Sequence, residues 1–128
     1  MTMPVHQWLY PARLLSITDG DTITVKLDMG LRITRDERIR LLGIDTPELR
    51  GESRAAGLAA TEFVRQWMVM AASSVFDWEL LIATTKADSF GRWLGDVHRV
   101  GDGANLSQDL LAAGHGVVWA RGTSRGGV

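Results

Sequence analysis

The chain has no cysteine, so no disulfide can brace it, no thiolate can hold zinc, and no thiol can serve as a nucleophile. Stability must therefore come from packing, and any catalytic metal must sit on oxygen or histidine ligands. Proline is scarce, with three residues, and tyrosine scarcer still, with one. No apolar run approaches the ~20 residues that a membrane-spanning helix needs. A surplus of positive charge is missing too. With 14 Lys+Arg against 15 Asp+Glu, the formal net charge is -1, which argues against a sequence-independent binder held to a polyanion by bulk attraction. Internal repeats and interdomain linkers are absent as well. What remains, 128 residues of which 45% are hydrophobic and 23% charged, suits one domain over residues 1–121. The glycine-rich end, residues 122–128, is expected to be a disordered tail.

Chemistry concentrates in the nonapeptide Arg40-Leu41-Leu42-Gly43-Ile44-Asp45-Thr46-Pro47-Glu48. It sets a guanidinium and two carboxylates around a forced change of direction, with an apolar strand behind them. Pro47 fixes its own φ and pushes Thr46 out of the helical region, so the chain must leave the strand just where the carboxylates appear. A cation that grips phosphate, a carboxylate that can hold a metal and a second that can handle water together suit metal-assisted phosphodiester hydrolysis. Two further segments supply matching parts. Asp19-Gly20-Asp21-Thr22 lies between β-rich runs and reads as a tight hairpin with Asp19-Gly20 as its turn. Asp88-Ser89-Phe90-Gly91-Arg92 brings a second arginine to the mouth of another strand. Taken singly, each motif has a plain structural use, because Asp-Gly turns bond their own backbone and strand-end arginines usually face solvent.

Together these segments resemble the staphylococcal nuclease (thermonuclease) family. The resemblance rests on Asp19 to Thr22, Arg40 to Glu48, Asp88 to Arg92, and Asn105-Leu106 leading to Leu110-Leu111 and Gly114, in the family's order across residues 13–119. It implies a calcium-dependent nuclease that cuts DNA, with RNA as a second substrate, and leaves 3′-phosphate and 5′-hydroxyl ends. It also implies that Asp21, Asp45 and the main-chain carbonyl of Thr46 bind Ca2+, with open positions left for water and a substrate phosphate. By the same resemblance Glu48 serves or orients the attacking water. Arg40 and Arg92 stabilise charge on the phosphate oxygens in the transition state, and Asp19 supports the ligands from behind. The competing expectation is a noncatalytic OB-type module that binds nucleic acid or protein, since fold does not fix function. A hydrolase of small nucleotides is a third.

The layout expected from the pattern is mainly β with α, and it matches the family's five-stranded OB-fold barrel with two packed helices. Trp8 to Ile17, Thr22 to Asp28 and Leu31 to Leu42 read as a three-strand meander, with Met29-Gly30 as its second turn. A helix from about Ser53 to Met70 should bury Ala56, Ala59, Phe63, Trp67 and Met70 on one face. Val75 to Ile82 alternates as a fourth strand with Phe76, Trp78, Leu80 and Ile82 on one side, and Arg92 to Val100 makes the fifth. Asn105 with Gln108 resembles a capping box, and Gly114 a C-terminal cap, so a second helix should span about 105–113. Of the clustered arginines, Arg32, Arg35 and Arg38 are expected on a solvated hairpin balanced by Asp36 and Glu37. His6, His98 and His115 show no ligand spacing.

Two positions depart from the family pattern. Phe90 stands where tyrosine is common, so its ring can pack near a nucleotide but cannot donate a hydroxyl hydrogen bond. Trp119 is the nearest aromatic in the C-terminal region where members place a tyrosine, and it is a candidate for base stacking. Met1 reads as a start residue, and residues 1–13 lack the apolar core of a secretory signal. The expectation is a soluble, cytoplasmic, monomeric protein without a membrane partner, with a mature secreted fragment as the alternative.

Overall fold

Apolar side chains at every second position close the first strands around a dry interior. The computed structural model describes residues 8–72, 77–87 and 91–118. Strands β1 (Trp8–Asp19), β2 (Thr22–Asp28) and β3 (Thr34–Leu41) form an antiparallel meander. On β2, Ile23, Val25 and Leu27 are buried while Thr24 and Lys26 between them are only partly so, as a strand with one face on a core requires. The short strand β4 (Ile44–Asp45) follows, then helix α1 (Arg54–Ala72), β5 (Leu80–Ala87), β6 (Trp93–Arg99), helix α2 (Leu106–Ala112) and β7 (Val117–Val118). The barrel closes in the order β1-β2-β3-β6-β5, with β3 and β6 parallel and the other pairs antiparallel. This is a mixed five-stranded barrel with two helices, an α+β architecture of OB type. Closure removes the unpaired edges that an open sheet would expose.

β1 belongs to both sides of the closure. Residues Trp8 to Ala12 pair with β5 and residues Ala12 to Asp19 with β2, and irregularities fall between Leu14 and Ser16 and between Ile17 and Asp19. Such bulges bend a strand and sharpen its twist, which lets one strand turn the corner of a small barrel. Inside lie Ala12, Ile23, Val25, Leu27, Ile39, Leu41, Leu80, Ile82 and Val97. Val64, Trp67, Met68 and Ala71 of α1, with Leu106 and Leu110 of α2, extend the same core. Arg99 fastens this layer from β6. Its guanidinium stacks 4.5 Å from the Trp67 ring and donates to Asp102 Oδ2 at 2.8 Å and to the Trp67 carbonyl at 3.3 Å. No helix among the described residues is long and apolar enough to cross a membrane.

Four local expectations change. The first hairpin turns one residue later, because Asp19 pairs with Thr22 and leaves Gly20-Asp21 as the two-residue loop. β3 begins at Thr34 rather than Leu31, since Leu31 and Arg32 adopt left-handed backbone, φ 56 and 64, in a five-residue loop. The buried stripe of α1 is Gly57, Ala60, Val64, Trp67, Met68 and Ala71, about one position round from the expected Ala56, Ala59, Phe63, Trp67 and Met70. Apolar residues surround this helix on several sides, so the sequence pattern alone did not select the face. β5 starts at Leu80 and continues through Thr84 and Thr85, whereas the expected strand was 75–82. Its ladder begins where Leu80 meets both Ala12 and Arg99. Trp78 lies before it and stacks on Arg13 at 4.5 Å. Phe76 and the expected tail, residues 122–128, lie outside the described residues.

Helix α2 follows its expected caps. Asn105 has extended backbone, and its side chain accepts from the Gln108 amide at 3.0 Å. Gly114 (φ 79) donates to the Leu111 carbonyl and His115 to the Leu110 carbonyl at 2.9 Å, the paired bonds of a Schellman ending.

Candidate active site

Three strand ends meet on one side of the barrel: the β1–β2 turn, the exit of β3 into β4, and the entry to β6. A cavity of about 430 Å³ opens there, lined by Asp19, Asp21, Arg40, Asp45, Thr46, Glu48 and Arg92, with Arg38, Pro47 and Arg50 around it. Asp19 and Arg92, far apart in the chain, thus share one recess. Thr22 pairs with Arg40 across β2 and β3, and Arg40 with Leu94 across β3 and β6. Those registers bring the three segments side by side.

Arg40 is the centre of this arrangement. Its Nη1 donates to the Ile44 carbonyl at 2.7 Å and to the Leu41 carbonyl at 2.9 Å, and it stands 3.7 Å from Asp21 Oδ2, while Nη2 bonds Asp45 Oδ1 directly. One guanidinium therefore ties β4 back to β3 and draws two carboxylates together. Asp21 also closes the gap from the other side, accepting from the Thr46 amide at 3.1 Å through Oδ2 and from the Thr22 hydroxyl at 3.2 Å through Oδ1. Asp19 accepts from the Asp21 amide at 3.1 Å, which fixes the turn. Arg92 Nη1 donates to Thr22 Oγ1 at 3.3 Å. Glu48 stands at the rim with its carboxylate largely in solvent, 3.3 Å from Arg50 Nε.

Two close approaches hold the loop. At Gly20 an added methyl would lie 2.7 Å from Thr46 Oγ1 and 2.8 Å from the Ala60 methyl. At Gly57 on α1 it would collide with the Glu48 carbonyl oxygen and lie 2.8 Å from the Glu48 carbonyl carbon. The backbone of Thr46 to Glu48 is therefore clamped between the β1–β2 turn and the first turns of α1. A third restraint was not visible in the sequence. β7 pairs with β4, Asp45 opposite Val117 and Ile44 opposite Val118, so the segment after α2 braces the strand that carries Asp45.

Burial pushes the Asp19 carboxyl above its usual range, and the negative charge of Asp21 beside it adds to the shift. A cation in the recess would relieve that strain. Four carboxylates (Asp19, Asp21, Asp45, Glu48) face four guanidiniums (Arg38, Arg40, Arg50, Arg92) around it, so the lining is formally neutral without an ion. Among the described residues no group of three or more His, Asp and Glu is gathered closely enough to hold a metal by side chains alone. A hard cation would draw on the carboxylates of Asp21 and Asp45, on the Thr46 carbonyl and on water. That all-oxygen set, next to a Thr46 hydroxyl that is buried with no hydrogen-bond partner among the described residues, fits calcium chemistry.

All of the expected catalytic and metal-binding positions line the one recess. Arg38 and Arg50 line it too, although Arg38 was expected on the solvated hairpin and Arg50 only in a basic face around the site, with no phosphate contact. Their closeness to the 40–48 motif was the available signal. Arg35 does lie away from the recess, paired with Glu37, and Lys26 pairs with Asp36 at 3.0 Å. His98 stands 3.4 Å from Asp96, and His115 packs 5.1 Å from the Phe63 ring. The stacking candidates Phe90 and Trp119 lie outside the described residues.

A closed mixed barrel with carboxylates and arginines gathered at its strand ends defines the class: an OB-type domain with a charged recess. Within that class, the chain matches the staphylococcal nuclease homologue family over residues 38–125 and belongs to it. Arg40, Asp45, Thr46, Glu48 and Arg92 fall inside the matched segment, while Asp19 and Asp21 precede it. No curated protein matches the chain. Domains of this family are generally nucleases acting on nucleic acids and are typically calcium-dependent.

Proposed function

We propose that this protein is a calcium-dependent nuclease that hydrolyses phosphodiester bonds of DNA, with RNA as a second substrate. The observation that carries the reading is the convergence of Asp21, Arg40, Asp45, Glu48 and Arg92 on one cavity of about 430 Å³. A purely binding module has no chemical need for that whole set.

Asp21, Asp45 and the Thr46 carbonyl would hold the calcium ion. Once bound, it supplies positive charge against the phosphate oxygens. Arg40 keeps the Ile44 carbonyl through Nη1 and turns Nη2 from Asp45 to a phosphate oxygen. Arg92 enters from the β6 side and presents its fork to the same group, so the charge that builds up in the five-coordinate transition state meets two guanidiniums. Glu48, at the wet rim, accepts the proton of the attacking water or orients it. The water oxygen bonds to phosphorus, the bond to the 5′ oxygen breaks, and that oxygen leaves as a hydroxyl after taking a proton from solvent. The 3′ side keeps the phosphate.

The test is the purified protein on denatured DNA, in calcium and in chelator, beside Glu48→Gln and Arg92→Ala. Expected are calcium-dependent cutting by the parent and a loss of about 10²–10³-fold in kcat for Arg92→Ala, the scale seen when one charge-stabilising donor is removed. Cutting by the parent in chelator would overturn the metal requirement. Undiminished cutting by Arg92→Ala would remove its role. DNA binding without cutting by any form would establish the noncatalytic module instead.

A further inference from the structure

A second cavity, of about 400 Å³, opens elsewhere on the barrel and is lined chiefly by Trp8, Tyr10, Arg35, Glu37, Thr85 and Trp93. Its position follows from strand parity. Trp8 and Tyr10 share a face of β1 with buried Ala12, Arg35 and Glu37 share a face of β3 with buried Ile39 and Leu41, and Trp93 shares a face of β6 with buried Val97. The inward faces of these strands thus continue past the packed core and end as an open mouth, where the rings of Trp8, Tyr10 and Trp93 stand beside Leu27 and Met29. Trp8 is 56% and Trp93 37% exposed, an unusual placement for two indoles on the inner side of a barrel.

Polar groups there are few and specific. Thr85 Oγ1 is buried and has no hydrogen-bond partner among the described residues, so a ligand atom in the mouth would satisfy a group that the fold leaves unsatisfied. Arg35 and Glu37 pair with each other, and their charges cancel, so the mouth does not call for an ion. An aliphatic ligand would fill the volume and leave the hydroxyl unbonded. A flat heteroaromatic ring would offer a π face to the indoles and hydrogen-bonding edges to Thr85 and Glu37.

The two cavities draw on the same two strands from alternate sides, since Glu37 lines the mouth and Arg38 the recess, and Trp93 lines the mouth and Arg92 the recess, so a strand of nucleic acid would have to pass over β3 and β6 to reach both. We infer that the barrel mouth is a nucleobase pocket that receives one unpaired base of a strand whose phosphate lies at Arg40 and Arg92. This rests on the reading of the chain as acting on nucleic acid. The base must leave its stack to enter, so the pocket favours single-stranded or unwound substrate.

Nucleosides test the pocket without involving the phosphate site. Cytidine and adenosine are titrated into the full chain while the indole N–H signals are followed by NMR. Trp8 and Trp93 should shift and saturate, whereas Trp67, whose Nε1 donates to Asp109 at 2.8 Å, should stay in place. Thr85→Val, close in shape, should weaken binding about fivefold, and Trp93→Ala at least about tenfold. Static indole signals, unchanged affinity in both variants, or an equal response to cyclohexanol would overturn the assignment. On oligonucleotides, a single abasic position walked past the cut should raise KM about tenfold at one site with kcat unchanged, and Trp93→Ala should erase that dependence on position. If nucleosides bind but the parent cuts nothing, the nuclease reading fails and the pocket stands. If the parent cuts and both indoles stay still, the pocket alone fails.

Discussion

Replacing Gly57 by alanine separates local propensity from tertiary contact, because the two demand opposite signs. Alanine in a helix is favoured over glycine by about 1 kcal/mol, so the sequence of α1 taken alone promises a more stable protein. At Gly57, however, the new methyl would lie 2.8 Å from the Glu48 carbonyl carbon and 2.9 Å from the Pro47 carbonyl oxygen. Both obstacles are backbone and cannot rotate away. Forcing a methyl group into filled space typically costs about 1–3 kcal/mol, which after the propensity gain leaves a net loss of up to about 2 kcal/mol. Urea denaturation should show a lower midpoint with an unchanged slope. The neighbouring Ala56→Gly is the control, since Ala56 is exposed and should lose only the propensity term with activity intact. Activity should respond at Gly57 as well. The displaced backbone is that of Pro47-Glu48, and a misplacement near 1 Å can cost ~10²-fold in rate. The expected fall is therefore in kcat, with KM little changed. A Gly57→Ala protein more stable than the parent and equally active would refute the clamp between α1 and the carboxylate loop.

Two further outcomes are expected. Burial, followed by the charge of Asp21, raises the Asp19 pKa above 3.8, so the stabilising effect of its protonated form is complete below pH 3.8 and is lost as pH rises through the elevated folded value. Asp19→Asn keeps the acceptor for the Asp21 amide and should melt higher than the parent at pH 7 without calcium; the advantage should vanish in melts run below pH 3.8. Asn105→Ala removes both the cap on α2 and a 2.8 Å bond to Asp96. It should lower stability by about 1–2 kcal/mol in urea denaturation while cutting of DNA persists.

Legibility in the sequence followed the range of the interaction. Strand β2 could be read to the residue because apolar and polar side chains alternate over Thr22–Asp28, and helix α2 because Asn105, Gln108 and Gly114 carry their own start and stop chemistry. The helix face of α1 could not be read that way. Leu58, Val69 and Met70 are apolar yet exposed, and only packing against β1 and α2 selects Ala60, Val64 and Ala71 instead. The same holds for β5, whose start is set by Leu80 finding partners on two strands at once.

The sequence by itself determined one part of the recess, since Asp45, Thr46 and Glu48 sit at a junction that Pro47 fixes locally, and Arg40 lies near the end of the strand just before it. Tertiary structure alone decided that Arg92 and Asp21 join them, that Arg40 holds two carboxylates at once, and that β7 pins the strand bearing Asp45. It alone made the aromatic mouth, whose lining comes from all five barrel strands. The physical reason is range. A proline, a cap or an alternating run acts on its neighbours within a few residues, whereas a cavity exists only after closure of the barrel sets the registers that bring distant side chains together.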